Sequence, residues 1–420
     1  LTGVAIVTRG DARSLQLPDD SVDLIVTSPP YFALRSYTDG GEHYAGQIGS
    51  EATPAEFLAA LLDCTREWMR VLKPTGSLWV NLGDKYAAAG GHTDRGENST
   101  LAGRRAVRQT AGAESRTITG GVRQKSLMGL PWRYALGCID ALGLILRAEV
   151  VWSKPNGLPE SVTDRVRRSH EQWFHFTLQP QYYSAVDEVR EQYAPGTAAR
   201  YAAGYNARQL DSQRPSVSTK LGGDQYDANP LGKTPGSVWE IPTEPLTVPA
   251  HLGVDHFAAF PTEWPRRIIA GWSPRDVCSA CGAGRRPIVD VHHEPAGGNA
   301  GQRGRLDADE PTNNGRGINA VGSPKLRGIA TITAYVCGCP DTAAATTPGV
   351  VLDPFGGTGT VALVAKALGR VGISNDLSAD YCRLAQWRTN DPGQLAKAMR
   401  VAKPPAQADG QTPLFGEVPA

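Results

Sequence analysis

No apolar stretch in this sequence is long enough to cross a bilayer, so a helical membrane span is not expected. Nor does a secretory pattern open it. The short run from Gly3 to Val7 is followed at once by Arg9-Gly10-Asp11. The chain begins with Leu1, as a trimmed chain or an unusual start codon would. There is almost no net charge, with 43 Lys and Arg against 42 Asp and Glu. Overall charge therefore gives no argument for a polyanionic partner, and local clustering has to supply one. Seven cysteines in 420 residues, without a leader, point to a reducing, cytoplasmic setting and not to a disulfide framework. No internal repeat is visible.

What is present is an ordinary globular composition, 40% hydrophobic and 20% charged, in a chain long enough for two or three units. Short apolar runs alternate with helical periods. Val4 to Val7 and Val22 to Val26 read as strands. Pro54 to Leu72 reads as an amphipathic helix, with Phe57, Leu58, Leu61, Leu62, Trp68 and Leu72 at helical spacing and Thr53 and Glu56 as a capping box. Ser77 to Leu82 is the next strand. Leu130 to Leu144 (helix), then Leu146 to Trp152 and Ser169 to Leu178 (strands), continue the series. Phe260 to Trp272 (helix), Val350 to Asp353 (strand), Thr360 to Leu368 (helix), Val371 to Ser374 (strand) and Ala379 to Arg388 (helix) complete it. This rhythm implies an α/β fold with a doubly wound, mostly parallel sheet. Residues 85–125 and 190–250 break it, and the polar tail after Asp391 is expected to fray.

Two segments carry the chemistry. The first is Thr27-Ser28-Pro29-Pro30-Tyr31, directly after a buried-type strand. Two prolines fix φ and remove N–H donors, so the corner is rigid and rich in acceptors. Ser28 Oγ and the Pro29 carbonyl can accept from an amine, and Tyr31 offers a stacking face. The blander reading is a Pro-Pro turn with a rim aromatic. The second is Asp353-Pro354-Phe355-Gly356-Gly357-Thr358-Gly359-Thr360, between a strand and a helix. Glycines there let a ligand lie on the backbone, and an acid about 20 positions on, here Asp376, suits a ribose diol. The other readings are a dinucleotide-binding loop, or merely a tight strand-to-helix corner.

In this order the two segments resemble the permuted (beta-class) DNA amino-methyltransferases, in which the catalytic motif precedes the cofactor motif. The resemblance spans about residues 1–180 and 236–390, including Val151 to Val162 and Ser169-His170-Glu171. It implies a Rossmann-like methyltransferase that uses S-adenosylmethionine. It assigns Ser28, Pro29, Pro30 and Tyr31 to catalysis. To the cofactor it assigns Asp11, Thr27, Phe260, Pro261, Asp353, Pro354, Phe355, Gly356, Gly357, Gly359, Thr360 and Asp376. One departure is that Ser374 and Asn375 precede Asp376, so the carry-over assumes a longer strand end. Ser at the head of the tetrapeptide is typical of cytosine-N4 enzymes, Asp or Asn of adenine-N6 enzymes. The implied reaction is site-specific methylation of duplex DNA after base flipping, cytosine-N4 first and adenine-N6 as alternative. A restriction–modification context would add a cognate endonuclease as partner, with the methyltransferase a monomer or homodimer. The rivals are an RNA or protein-glutamine methyltransferase, and a non-catalytic zinc-ribbon DNA-binding protein.

The segment 85–125 leans basic through Arg95, Arg104, Arg105, Arg108, Arg116, Arg123 and Lys125. It is either a solvated loop or a phosphate-contacting DNA-binding element. Cys278-x-x-Cys281-Gly and Cys337-x-Cys339 bracket a Gly-rich insertion. They suggest a structural zinc site, the alternatives being a redox pair, unrelated thiols, or a ligand from His292-His293. Cys64, Cys138 and Cys382 sit on helix patterns as buried side chains. The expected organisation is a catalytic half (1–190), a target-recognition region (191–250) and a cofactor half (251–274 and 346–390). A zinc-binding, zinc-ribbon-like insertion (275–345) and a flexible tail (391–420) complete it.

Overall fold

The computed structural model describes residues 3–34, 38–39, 42–43, 46–87, 122–157, 159–194, 229–254, 260–295, 326–341 and 343–402. Its frame is an eight-stranded sheet. The strands are β1 (Val4–Arg9), β2 (Val22–Thr27), β5 (Leu72–Leu82), β6 (Ile145–Ser153), β7 (His170–Thr177), β8 (Val238–Glu240), β13 (Val350–Asp353) and β14 (Val371–Asp376). They lie in the order β1-β14-β13-β2-β5-β7-β6-β8. Strands β1 to β5 of that row pair in parallel, and β7 runs antiparallel between β5 and β6. A two-residue ribbon, β3 (Thr38–Asp39) with β4 (Glu42–His43), precedes the first helix.

Helix α1 (Pro54–Val71) forms where its sequence signals place it. Thr53 accepts from Glu56 N, Glu56 returns a bond to Thr53 N, and Pro54 opens the first turn. Its apolar stripe of Phe57, Leu61, Cys64 and Trp68 is buried on one sheet face, together with Tyr134 and Cys138 of α2 (Leu130–Leu142). Burial pushes the Cys64 and Cys138 thiols up to about 12, so both behave as apolar filler.

The opposite face is built from tryptophans. Trp264, on α3 (Glu263–Trp272), stacks on Trp173 and Trp239 at ring separations of 4.9 Å each. Trp79 and Trp152 complete that layer with α4 (Thr360–Ala367). Trp239 explains why β8 exists: Val238–Glu240 was expected to be irregular, but its single inward ring is only 3% exposed and anchors it to the edge of β6. Three residues are too few to show a period in the sequence.

The tail also differs from expectation. After α5 (Ala379–Asn390), Asp391 caps α6 (Pro392–Met399), accepting from Gln394 N at 2.7 Å, with Pro392 at the first helical position. The Asp391-Pro392 pair, in a tail expected to fray, is a helix start. Strands β9 (Asp276–Cys278) and β12 (Thr346–Pro348) form a small antiparallel ribbon.

Contacts divide the chain into a larger unit (1–184, 236–284 and 344–420) and a smaller one (185–235 and 285–343). The smaller unit is organised on an antiparallel hairpin, β10 (Arg286–Pro295) with β11 (Leu326–Val336), bulged between Ile288 and Val289. Within it Arg190 pairs with Asp187, and Tyr335 donates to Glu188.

Candidate active site

The two chemistry-bearing segments are about 325 residues apart in sequence but end adjacent strands. Strands β13 and β2 pair in parallel, Val351 with Leu24 and Leu352 with Ile25. On one side of them the chain continues to β14 and β1, on the other to β5, so both segments open at the switch point where such sheets bind ligands. Thr27 Oγ1 bridges them, donating to Asp353 Oδ1 at 2.8 Å.

On the β13 side, Asp353 is 1% exposed. Its Oδ1 also accepts from Phe355 N at 3.1 Å, while Oδ2 is buried with no partner. Burial pushes this carboxyl up to about 7, against the two hydrogen bonds that pull it down. The turn after Pro354 requires its glycines. Gly357 and Gly359 have φ of 48° and 72°, and a Cβ on Gly357 would make only ordinary contact, 3.9 Å from Phe355 O, while one on Gly359 would strike Ala385. Strand β14 runs to Asp376, past the expected Ser374, which brings the carboxylate to the turn. Its Oδ2 accepts from Gly357 N at 2.8 Å and its Oδ1 from Ser378 N at 2.9 Å. Phe355 meets Trp68 edge-on at 5.9 Å, and the Trp68 indole donates to Ala12 O. The pKa of the neighbouring Asp11 is lowered from its ordinary value by Arg13, which bonds both of its oxygens. Phe260 packs edge-on to Trp173, and the Pro261 carbonyl accepts from Trp264 N. Thr360 and Thr358 both accept from the buried Arg388 at 2.7 Å.

An open glycine turn, an orphaned buried carboxylate oxygen and a second carboxylate at the neighbouring strand end fit the nucleoside part of S-adenosylmethionine. The fit is to its hydroxyl and amino donors, which need acceptors on a bare backbone.

On the β2 side, Ser28-Pro29-Pro30-Tyr31 leads off the strand with all peptides trans. Tyr31 is cradled by two glycines. A Cβ on Gly83 would lie 2.6 Å from its ring, and one on Gly49 would lie 2.9 Å from its carbonyl oxygen. Around the corner is a polar cluster that the sequence pattern did not single out. Asn81, 1% exposed at the end of β5, presents Oδ1 to Ser28 Oγ at 3.2 Å and to the Tyr31 hydroxyl at 2.9 Å. Its Nδ2 donates to Gln172 O at 3.0 Å, which fixes the orientation of the amide. Glu171 accepts from the Tyr31 hydroxyl at 2.8 Å and pairs with Lys154, whose ammonium lies over the Trp152 ring. A phenol has one proton, and the carboxylate is the stronger acceptor. Tyr31 therefore donates to Glu171 and Ser28 to Asn81, which leaves the lone pairs of Ser28 Oγ free to accept. The one sequence signal for Asn81 was an amide within an otherwise apolar strand.

Of the basic segment, Arg95, Arg104, Arg105, Arg108 and Arg116 lie outside the described residues. The Arg123 carbonyl accepts from Ser126 N, and Lys125 pairs with Asp164 at 2.9 Å. Cys278 and Cys281 are presented by a knuckle in which Gly282 N donates to Cys278 O, with Gly282 at φ 69°. The sulfurs of Cys278, Cys281, Cys337 and Cys339 all lie within 4.8 Å of one another. His292 and His293 pair with Ile329 and Gly328 along the hairpin, and among the described side chains His292 is not in that group.

Fold and site together define an S-adenosylmethionine-dependent methyltransferase of Rossmann-like architecture. Comparison with known proteins narrows the class. Residues 22–278 and 343–387 match the DNA methylase family of N6 and N4 methyltransferases. The Type II methyltransferase M.Cfr9I of Citrobacter freundii is 35% identical over 275 residues, 65% of this chain and 74% of that protein. The Type II methyltransferase M.SmaI of Serratia marcescens is 33% identical over 63% of this chain and 74% of its own length. Among solved structures, a PvuII DNA methyltransferase described as cytosine-N4-specific aligns with TM-score 0.49 and 15% identity, over 95% of this chain and 92% of its own. The chain belongs to the N6/N4 DNA methylase family. It is a DNA methyltransferase of the restriction–modification type. No helix among the described residues is long and apolar enough to cross a membrane.

Proposed function

We propose that the protein transfers a methyl group to the exocyclic N4 amine of cytosine within a specific site of duplex DNA. The observation that carries this reading is the hydroxyl of Ser28, whose proton is donated to Asn81 so that Oγ keeps its lone pairs for an incoming amine. An exocyclic amine is a weak nucleophile because its lone pair is delocalised into the ring. Ser28 Oγ and the Pro29 carbonyl accept the two amine hydrogens and pull nitrogen toward a tetrahedral shape. S-Adenosylmethionine supplies an activated methyl on a sulfonium, so no covalent enzyme intermediate is required. The rate then comes from positioning and from acceptors fixed before the substrate arrives. Tyr31, held by Glu171 and its two glycines, is the face on which an extruded base stacks.

The cofactor residues named above hold the donor: Asp376 the ribose hydroxyls, Asp353 and the glycine turn the nucleoside, and Phe355 its apolar face. The basic segment, with Arg123 and Lys125, contacts phosphates without reading sequence. The four thiols suit a closed structural zinc site at about 2.3 Å per bond, with no open position for chemistry.

The test is to sequence DNA from cells expressing the protein with a method that separates 4-methylcytosine from 6-methyladenine. 4-Methylcytosine at one recurrent site is expected. 6-Methyladenine would move the reading to the adenine-N6 branch of the family.

A further inference from the structure

The strand pair β6–β7 is joined by residues 154–169, and this connection is tied to the catalytic corner at several points. At its start Lys154 pairs with Glu171, the residue that holds the Tyr31 hydroxyl. Near its end Arg168 approaches Asp84 at 3.5 Å, one residue beyond the Gly83 that abuts the Tyr31 ring. Between them the Arg165 guanidinium lies 3.8 Å over the Tyr86 ring and bonds Glu160, and Arg167 donates to Gly157 O. The connection is thus anchored by its charged side chains along the rim of the site. Its cations, Lys154, Arg165, Arg167 and Arg168, outnumber its carboxylates, Glu160 and Asp164, by 4 − 2 = 2.

Within this braced connection, between Arg165 and Arg167, is Val166. It is 85% exposed, and among the described residues the next most exposed large apolar side chain, Val238, is at 63%. Single exposed apolar residues are commonplace on protein surfaces. This one differs in its setting, because the neighbours that would shield it are spent fastening the loop at the mouth of a site that acts on a base.

We infer that Val166 is the wedge that enters duplex DNA and fills the gap left by the extruded base. The inference rests on the reading of this site as one that acts on a flipped base. Removing a base from the stack leaves an apolar space between its neighbours, and a small branched side chain fits such a space without a hydrogen-bonding requirement. Val166 touches no reacting atom. It is a positioning residue, acting on the equilibrium between stacked and extruded base.

The experiment uses the full chain and a duplex carrying the methylation site mapped in vivo with its target base intact, and 2-aminopurine at a neighbouring position to report the loss of stacking on extrusion. A second duplex has the target base mispaired, which lowers the cost of extrusion. For Val166→Gly, both extrusion signal and turnover should fall about tenfold on the paired duplex, the effect of losing one buried valine. The deficit should close on the mispaired duplex, and Val166→Leu should stay near wild type on both. Equal deficits on the two duplexes would mean that the substitution merely loosens the loop. No deficit on either would remove the wedge. Both results overturn the inference. If wild-type protein methylates no duplex and gives no extrusion signal, the parent reading fails with it, and that outcome is distinguishable from the other two.

Discussion

Replacing Asn81 by leucine is the sharpest test of the catalytic corner. The substitution keeps side-chain volume but removes Oδ1, which faces Ser28 Oγ and the Tyr31 hydroxyl, and Nδ2, which faces Gln172 O. Tyr31 retains Glu171, so the ring should stay in place. Ser28 loses the acceptor for its proton, and its hydroxyl becomes free to point that proton at the incoming amine. A preorganised polar contact of this kind is worth on the order of 10²–10³ in rate. The fold should lose about 1–3 kcal/mol, because Asn81 is buried and its hydrogen-bonding neighbours are left partly unsatisfied. The assay is single-turnover methyl transfer to a duplex carrying the mapped site, alongside cofactor affinity and thermal melting. Loss of rate with unchanged affinity is expected, and Ser28→Ala should cost a similar amount. The double variant should cost little more than either single one, since the two residues act as a unit. A folded Asn81→Leu protein that turns over within a few-fold of wild type would refute the orienting role, as would full additivity in the double variant.

Three further outcomes follow from the geometry. Asp376→Asn keeps one acceptor oxygen where Gly357 N and Ser378 N now use two, so S-adenosylmethionine affinity should fall about tenfold by calorimetry, the effect of one charge-assisted bond; unchanged affinity would shift the acidic role to Asp380. Asp353 is raised from an ordinary 3.8 to about 7, so the folded state holds this proton more tightly than the unfolded chain does. Its contribution to stability is therefore full below about pH 4 and lost as pH rises toward 7, by up to about 1.4 kcal/mol per pH unit. Asp353→Asn should flatten that fall in denaturant titrations at pH 5 and pH 8, and an unchanged slope would place the titration elsewhere. Elemental analysis of protein purified under reducing conditions should find one zinc per chain, lost in Cys281→Ser, with methyl transfer insensitive to chelation while the fold persists; absence of zinc, or activity that follows metal loss, would overturn the structural site.

Much of this protein was legible in its sequence because the signals are local. The capping box at Thr53 and Glu56, the stripe from Phe57 to Trp68, the glycine turn after Asp353 and the Pro-Pro corner after Thr27 each depend on a few consecutive residues, and each lies where its pattern puts it. The short strand β8 and helix α6 were missed for complementary reasons. The first is held by the burial of one tryptophan among others far away in sequence, and the second is started by an Asp-Pro pair in a tail whose polar composition reads as frayed. The spacing analogy to Asp376 needs a longer strand end, and β14 does run on to Asp376, whose carboxylate meets Gly357 N. What only the tertiary structure decided is the partnership of side chains brought from separate strands. No spacing rule connects Ser28 to Asn81, Tyr31 to Glu171, or Thr27 to Asp353 across 326 residues. Sequence determines which groups are available and how each strand or turn is made. Which lone pair is left free at Ser28 is set by where neighbouring strands end, and that is a property of the sheet.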